Sequence, residues 1–201
     1  MTDVRGSTDS AAPVTLAYRP VVDVHLILER QDGMILLAER ANTGYADGLV
    51  NVPGGKLEDG EDVRAAAVRE AWEEIGVRAD PEQARCVAVV HHRAPNGAGR
   101  VGFFFATARW EGEPVNAEPD KCAGLLWADP DDLPPHTIAY GAAGIRAYRS
   151  GQLFVLDGWE PGASKDLTIG AIGDSRSSRQ KWVSPGAESV QDGSGGAEQA
   201  D

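Results

Sequence analysis

Three glutamates, Glu70, Glu73 and Glu74, lie three and four residues apart in a stretch whose pattern predicts a helix. At about 100° per residue, their side chains fall within roughly a third of the helix circumference. Three carboxylates aimed at one point favour a hard divalent cation such as Mg²⁺, which prefers oxygen ligands and keeps waters that a phosphate can replace. The alternative is an ordinary solvated face, because like charges at this spacing cost only about 0.2–0.5 kcal/mol on an exposed helix.

The residues around the glutamates favour the metal site. Pro53–Gly55 comes shortly before them, and these glycines predict a tight loop whose backbone can approach a ligand closely. Arg69 lies four residues before Glu73 and can hold it as an ion pair. Gly76 ends the helix as a C-terminal glycine. The apolar residues expected on the opposite, core-facing side are Ala65, Val68, Ala71, Trp72 and Ile75.

The stretch from Gly55 to Val77 resembles the signature motif of the Nudix hydrolases. The residues that carry the resemblance are Gly55, Glu61, Arg69, Glu70, Ala71, Glu73, Glu74, Gly76 and Val77. The resemblance extends over about residues 20–150. It implies an α/β fold of the Nudix type, an α/β/α sandwich with a mixed central sheet and the motif helix on one face. It also implies cleavage of a diphosphate linkage in a nucleotide with Mg²⁺ or Mn²⁺.

The resemblance also implies roles for particular acidic residues. The metal ligands would be the Gly55 carbonyl with Glu70, Glu73 and Glu74, and Glu118 would join them from a loop opposite the helix. We expect Glu70, Glu73 and Arg69 to form the catalytic group. Glu70 or Glu73 would take the proton of the attacking water, with Glu118 as the alternative base.

Five further residues are candidates for substrate binding. Arg40 and Lys56 would contact phosphate, although a surface charge is an equal interpretation of each. Lys121 would lie near phosphate, because the segment 118–122 is similar to one in the branch of the family that cleaves nucleoside triphosphates. Tyr45 could stack on a base from the loop 42–48, or this loop is an exposed connector. Trp127 would line the base pocket or, alternatively, belong to the core.

Alternation and turn signals predict the elements that must position these residues. We expect two strands joined by a hairpin turn, a short strand before the glycine pair, two central strands, a strand ending at a tryptophan, and a second helix with core contacts at Ile138, Ile145 and Tyr148. Two glycines inside that helix should weaken it. The expected bounds are Val21–Glu29, Met34–Arg40, 49–52, Cys86–His91, Val101–Ala108 and, for the helix, Thr137–Gly151.

The chain of 201 residues suits one domain with tails. We expect a flexible N-terminal arm at 1–16, the Nudix domain at 17–156, and a low-complexity, largely disordered C-terminal tail at 157–201. The net charge of −12 disfavours binding to nucleic acid or an anionic membrane. Two cysteines without metal-ligand spacing, and no signal peptide or apolar span, predict a cytoplasmic protein. A monomer or a homodimer is expected.

The function expected from these features is Mg²⁺-dependent cleavage of a nucleoside triphosphate, oxidised or not, to monophosphate and pyrophosphate. ADP-ribose or another nucleotide sugar is the alternative substrate. A non-catalytic nucleotide-binding sensor is a different class of function, disfavoured because the motif is intact, and a purely structural interaction protein is a third. Val50 and Lys56 depart from the usual family pattern on the substrate side, so the specificity stays open.

Overall fold

The computed structural model describes residues 17–163, 166–169 and 181–183. The predicted N-terminal arm and the extreme C-terminus lie outside these residues. None of the helices in the described part of the chain is long and apolar enough to cross a bilayer. In chain order the elements are β1 (Val21–Leu28), β2 (Ile35–Arg40), β3 (Val50–Asn51), β4 (Gly54–Lys56), α1 (Val63–Ile75), a 3₁₀ turn (Pro81–Gln83), β5 (Arg85–Arg93), β6 (Gly99–Thr107), β7 (Cys122–Ala128), α2 (Ala139–Ser150), β8 (Phe154–Asp157) and β9 (Lys181–Trp182).

The described strands form two sheets, one ordered β4-β1-β6-β5-β8 and the other β3-β2-β7-β9. β1 runs parallel to β6 and β5 runs parallel to β8, while the other pairs are antiparallel. Alternate residues of β1 serve two cores: Val24 and Leu26 pack with α1, and Ile27 packs in the cluster that contains α2. The structure therefore confirms the predicted α/β/α arrangement with mixed strand directions.

The predicted hairpin between the first two strands is wrong. The turn itself forms, since the Gly33 N–H donates to the Arg30 carbonyl at 2.9 Å. However, β1 and β2 belong to different sheets, and beside the turn they are joined by an isolated bridge between Glu29 and Ile35 rather than by a ladder. The physical reason is that β4 and β6 occupy both sides of β1, so β2 pairs with β3 and β7 instead.

The glycine pair, predicted as a loop, is instead part of strand β4. Gly54 and Gly55 pair with His25 and Val24 of β1 in an antiparallel ladder. The ladder fixes the backbone of the pair through main-chain hydrogen bonds to a central strand. The glycines are therefore held as part of the sheet rather than exposed on a connector.

Parts of the C-terminal region, predicted to be largely disordered, are docked on the domain. The Trp159 indole donates to the His91 carbonyl at 2.9 Å, and the Ala139 N–H donates to the Leu167 carbonyl at 2.8 Å. Further on, Trp182 of β9 pairs with Leu126 of β7. The low apolar content of this region did not indicate these contacts, because each relies on one or two residues that meet a distant part of the chain.

The second helix forms close to its predicted bounds, with Ile145 fully buried and Ile138 and Tyr148 packed at the margin of the core. Its Gly144 was expected only to weaken the helix. In the structure it faces the ring of Phe104, and a β-carbon at this position would lie 2.5 Å from the ring's Cδ1 atom. The absence of a side chain is what lets the helix approach the sheet.

We expect Gly144→Ala to destabilise the protein, although alanine is the better helix former by about 1 kcal/mol. The added methyl group overlaps the Phe104 ring, and overpacking a core costs roughly 1–3 kcal/mol. Urea denaturation measures the change in the free energy of unfolding. In a double-mutant cycle, Phe104→Leu should relieve part of the loss. A single Gly144→Ala variant more stable than the wild type would contradict the packing argument.

Candidate active site

Helix α1 carries the three glutamates and has well-defined ends. The Asp62 carboxylate accepts hydrogen bonds from the backbone N–H groups of Arg64 and Ala65 at 2.8 and 3.0 Å. At the other end, Gly76 adopts a left-handed conformation with φ of 68° and closes the last turn on the Trp72 carbonyl. The helix packs on β1 and β4, which brings its glutamates next to the glycine pair.

The core-facing side of α1 differs from the predicted one. Its buried residues are Ala66, Ala67, Ala71 and Ile75, whereas Ala65 and Val68 are only half-buried. Trp72 was expected in the core but is 48% exposed, and the Arg78 guanidinium lies 4.6 Å from its ring centre. The reason is that the buried side includes Glu70 and Glu74, which face β4. The carboxylates therefore share the packed side of the helix rather than opposing it.

Glu74 is held directly by the glycine pair. The Gly54 N–H donates to its Oε2 atom at 2.9 Å. Burial raises the pKa of Glu74 to about 7, although this hydrogen bond lowers the pKa, and the charges of Glu70 and Glu118 raise it further. Burial and the neighbouring acids therefore outweigh the Gly54 hydrogen bond at this carboxylate, so its protonated form is favoured more than in a free glutamate.

The two glycines permit this approach in different ways. Gly54 has φ of 155°, and a β-carbon there would lie 2.8 Å from the Cα atom of His25 and closer still to the Val24 carbonyl oxygen. A β-carbon on Gly55 would instead lie 2.6 Å from Oε2 of Glu70. A side chain at position 54 would therefore collide with the backbone of β1, and one at position 55 would collide with the carboxylate of Glu70, a candidate catalytic residue.

Arg69 is the hub of the hydrogen bonds among the acids. Its guanidinium donates to Glu61 at 3.0 and 2.8 Å, and to Glu70 and Glu73 at 3.0 Å each. It also reaches the Lys56 carbonyl at 3.3 Å. The Glu61 hydrogen bonds raise the pKa of Arg69, and Arg69 lowers that of Glu61. Arg69 therefore positions Glu73, as the sequence suggested, and two further acids as well.

The loop that carries Glu118 faces the helix. The Ala117 N–H donates to the Glu74 backbone carbonyl at 3.1 Å, and Glu118 lies close enough for its charge to raise the pKa of Glu70, whose main shift upward comes from burial. Lys121 pairs with Glu118 at 2.7 Å, which raises the pKa of the lysine. The structure thus brings Glu118 and Lys121 to the same place as the helix glutamates.

The donor set fits a hard divalent cation in kind, since it combines carboxylates of Glu70, Glu73, Glu74 and Glu118 with a backbone carbonyl at Gly55. Among the described residues, no three acidic, histidine or cysteine side chains converge closely enough to hold an ion with their present rotamers. In the structure these carboxylates have separate hydrogen-bond partners: Arg69 for Glu70 and Glu73, the Gly54 N–H for Glu74, and Lys121 for Glu118.

The remaining substrate candidates occupy two different environments. Arg40 donates to the Tyr45 carbonyl and to Thr43 at 3.1 Å each, so it shapes the loop after β2, and its charge lowers the pKa of Glu74. Tyr45 is 58% exposed on that loop, and Lys56 is exposed on β4. Trp127 is 7% exposed and lies among Trp110, Arg30 and core residues, which is the alternative interpretation of this residue.

A buried polar cluster on the other side of β1 was missed. Arg100 contacts both carboxylate oxygens of Asp23 at 2.8 Å, and the Tyr140 hydroxyl lies 3.4 Å from Asp23. His25 stacks on Phe104 with ring centres 4.5 Å apart. The signal in the sequence is that Asp23 and His25 interrupt an apolar strand at alternate positions, and so share one face.

The sequence of the chain also matches a known protein family. A family model for the NUDIX domain matches residues 17–148, which is more than half of the 201 residues. The chain belongs to the Nudix family. As a Nudix hydrolase, it acts on phosphoanhydrides of nucleotides, and members of the family generally use divalent metal ions.

Characterised relatives place this Nudix chain near the MutT-like members. The 8-oxo-dGTP diphosphatase of Escherichia coli K12 is 31% identical over 111 residues, which cover 54% of this chain and 84% of that relative. Phosphatase NudJ of Escherichia coli O1:K1 is 29% identical over 143 residues, covering 70% and 90%. An RNA pyrophosphohydrolase of Roseobacter denitrificans is 44% identical, but the match covers 36% of this chain and only 42% of that relative.

Solved structures agree with the assignment. The MutT NUDIX hydrolase from Burkholderia pseudomallei is 30% identical with a TM-score of 0.59, covering 65% of this chain and 98% of that one. The solution structure of the Escherichia coli ORF135 protein is 28% identical with a TM-score of 0.56, covering 66% and 90%. The motif resemblance and the fold class expected from the sequence are therefore confirmed.

The two glycines of the Nudix motif strand provide a matched pair of variants. We expect Gly54→Ala to lower the free energy of unfolding by at least ~2 kcal/mol, because its methyl group meets the backbone of β1. Gly55→Ala should fold normally, since only the end of the Glu70 side chain must move, but should need a higher concentration of divalent metal ion for half-maximal turnover. Urea denaturation and metal titration of activity separate the two effects. Equal stability losses in both variants would contradict the assignment.

His25 should make stability depend on pH. Burial lowers its pKa to about 4, against about 6.5 in the unfolded chain, so folding favours the neutral ring. Stability from this residue is present above pH 6.5 and lost as pH falls towards 4, by about 3 kcal/mol in total. Glu74, with its raised pKa, acts in the opposite sense.

Comparing the wild type with a variant that lacks His25 isolates the contribution of this residue to the pH dependence of stability. The gap in unfolding free energy between the wild type and His25→Asn, measured by urea denaturation, should narrow as the pH is lowered from 7.5 to 5. Glu74 is present in both proteins, and so its own pH dependence largely cancels. A gap that stays constant over this range would show that the histidine is not held neutral by burial.

Proposed function

We propose that this Nudix hydrolase cleaves a nucleoside triphosphate, oxidised or not, to the monophosphate and pyrophosphate in a Mg²⁺-dependent reaction. The observation that carries the proposal is the meeting of Glu70 and Glu74 of α1 with Glu118 of the facing loop, beside the backbone of Gly54 and Gly55. No surface or packing role requires this crowding of like charges. Two unit charges about 6 Å apart repel by roughly 3 kcal/mol at an effective dielectric constant of 20.

Glu70, Glu73, Glu74, Glu118 and the Gly55 carbonyl would hold the metal. When bound there, Mg²⁺, or Mn²⁺ in its place, would supply positive charge for phosphate oxygens and for activating a water. The residues of the chain then have separate tasks. Arg69 sets the direction of the helix carboxylates through its hydrogen bonds to Glu61, Glu70 and Glu73.

The proton of the attacking water would go to Glu73 or Glu70. The side chain of Glu73 is 48% exposed and held by Arg69 at one oxygen, which leaves the other accessible to water. Glu70 is more enclosed, with 14% of its side chain exposed. Glu118 remains the alternative base, because it lies on the loop opposite the helix and its side-chain partner is an exposed lysine.

A triphosphate needs local cations on a chain whose net charge is −12. Arg40, Lys56 and Lys121 are the candidates to supply them, since each is in or beside the region of the glutamates. The hydrogen bond to Glu118 is the main cause of the raised pKa of Lys121, and the charges of Glu74 and Glu70 add to it. The charge of Arg40 opposes the burial that raises the pKa of Glu74. These couplings support phosphate contacts for Arg40 and Lys121. The support for Lys56 is its place on β4 next to Gly55.

A triphosphate substrate is favoured over a nucleotide sugar by the similarity to the 8-oxo-dGTP diphosphatase, which covers most of that relative. Tyr45 would stack on the base from its exposed loop. Trp127 is a weaker candidate for this contact, because its ring is almost completely buried. A panel of normal and oxidised nucleoside triphosphates, ADP-ribose and nucleotide sugars, followed by pyrophosphate release and monophosphate formation, separates these substrate classes.

The catalytic role is tested by Glu73→Gln. Loss of this carboxylate should lower kcat at least ~10²-fold while the thermal unfolding temperature changes little, because the side chain is half exposed. Glu82→Gln, which removes an exposed carboxylate from the 3₁₀ turn, is the matched control and should keep full turnover.

Two outcomes would redirect the assignment. Unchanged kcat in Glu73→Gln would remove this residue from the catalytic group and leave Glu70 or Glu118 as the base. Nucleotide binding by the wild type, with no turnover of any substrate in the panel at millimolar Mg²⁺ or Mn²⁺, would instead favour a non-catalytic nucleotide sensor.

A further inference from the structure

One face of the five-stranded sheet is covered unevenly. Helix α2 packs on β5 and β8 from one side, while α1 packs on the opposite side of the sheet over β1, β4 and a little of β6. On the side of the sheet where α1 lies, neither helix in the described part of the chain packs on β5 and β8 as extensively as α1 packs on β1 and β4. A strip of sheet is therefore left open beside α1.

The residues of this strip are largely apolar. The ladder pairs Phe154 of β8 with Val89 of β5, which pairs in turn with Phe103 of β6. In the same way Leu156 pairs with His91, which pairs with Val101. Val155, between the two β8 residues, packs into the core on the α2 side, which confirms that its neighbours point the other way. Phe154 is 53% exposed and Leu156 50% exposed. We call this surface the open face, and it comprises Val89, His91, Val101, Phe103, Phe154 and Leu156.

Two aromatic side chains extend the open face at one end. Trp159 lies with its ring centre 4.5 Å from that of His91, and Tyr18 lies 6.2 Å from the same ring. Trp159 is 36% exposed and Tyr18 59% exposed. None of these eight residues is Asp, Glu, Lys or Arg, so the centre of the surface carries no carboxylate, ammonium or guanidinium group.

We propose that the open face is the interface of a homodimer, packed against the same face of a second copy related by a two-fold axis. In an isologous contact the same surface of both copies is buried. This suits a surface whose centre has no carboxylate, ammonium or guanidinium group, because no like charges are then brought together out of water. A nucleic-acid strand fits less well. Its phosphates would approach a chain of net charge −12, although one cation, Arg93, is stacked on Trp159 beside this surface.

The exposed area matches what a dimer needs. Aromatic side chains bury about 150–250 Å² each when covered, and the open face and its aromatic extension hold several that are about half exposed. This gives on the order of 500 Å² per copy and about 1,000 Å² for two copies, the size at which specific interfaces begin. The same area would be among the largest apolar patches on a monomer, where such patches are often functional.

The test is the mass of the full chain in solution, measured by sedimentation and by light scattering across protein concentrations from about 1 to 100 µM. We expect a dimer for the wild type. The double variant Phe154→Glu and Leu156→Glu, which would bury four carboxylates in the interface, should weaken dimerisation at least ~10²-fold. Val115→Glu is the matched control, since Val115 is 47% exposed on a loop beside the end of α1, and should stay dimeric.

Each alternative gives a distinct result. A wild-type chain that is monomeric throughout this range, or a double variant that remains a dimer, overturns the proposal. Binding of single-stranded RNA by a wild-type monomer, lost in the double variant, would assign the face to nucleic acid. If the double variant fails to fold by circular dichroism, hydrogen exchange of the wild type decides: amides of β5 and β8 should be better protected at high than at low protein concentration, and equal protection overturns the dimer.

Discussion

Mutual repulsion among carboxylates is the constraint on which the arrangement of the site depends. Helix α1 places Glu70, Glu73 and Glu74 close together, and the loop adds Glu118. The structure relieves this repulsion with separate partners: Arg69 for Glu70 and Glu73, the Gly54 N–H for Glu74, and Lys121 for Glu118. A divalent cation would replace several of these partners at once. The acids are therefore close to each other, but they are bound to separate partners and not to one that all four share.

The sheet determines where that cluster can form. Strand β4 carries the glycine pair and is bound to β1, which itself is fixed between β4 and β6. Because Gly54 is in the ladder, its N–H toward Glu74 has a defined direction that a free loop would not provide. The helix then turns Glu70 and Glu74 onto its packed side, and Trp72 is displaced to the surface as a consequence.

Local pattern was enough to find the motif helix and its C-terminal glycine, since these depend on residues within one or two turns of each other. It also located most strands, because alternation of apolar residues is itself local. It did not reveal that β1 and β2 separate into different sheets, because that depends on β6, which lies about 80 residues after β1. The pair of Asp23 and Arg100 was missed for the same reason, since its members are 77 residues apart.

The same distinction explains the interpretations that stayed open. Whether Trp127 would face a base or the core could not be decided from its neighbours in sequence, because the answer depends on Trp110 and Arg30, which come from other parts of the chain. By contrast, Arg69 and Glu73 are four residues apart on one helix, and their ion pair was predictable from spacing alone.

The two sides of β1 are joined at a single backbone position. The Gly54 N–H donates to Glu74 on the α1 side of the sheet, and the space for the missing β-carbon of Gly54 is filled by His25, whose Nδ1 atom would lie 2.8 Å away. His25 is kept neutral by burial, while burial raises the pKa of Glu74. A charge placed on His25 would act on the strand that orients Glu74. The neutral state of His25 on one side of β1 is therefore coupled to the direction of the hydrogen bond that Glu74 accepts on the other side.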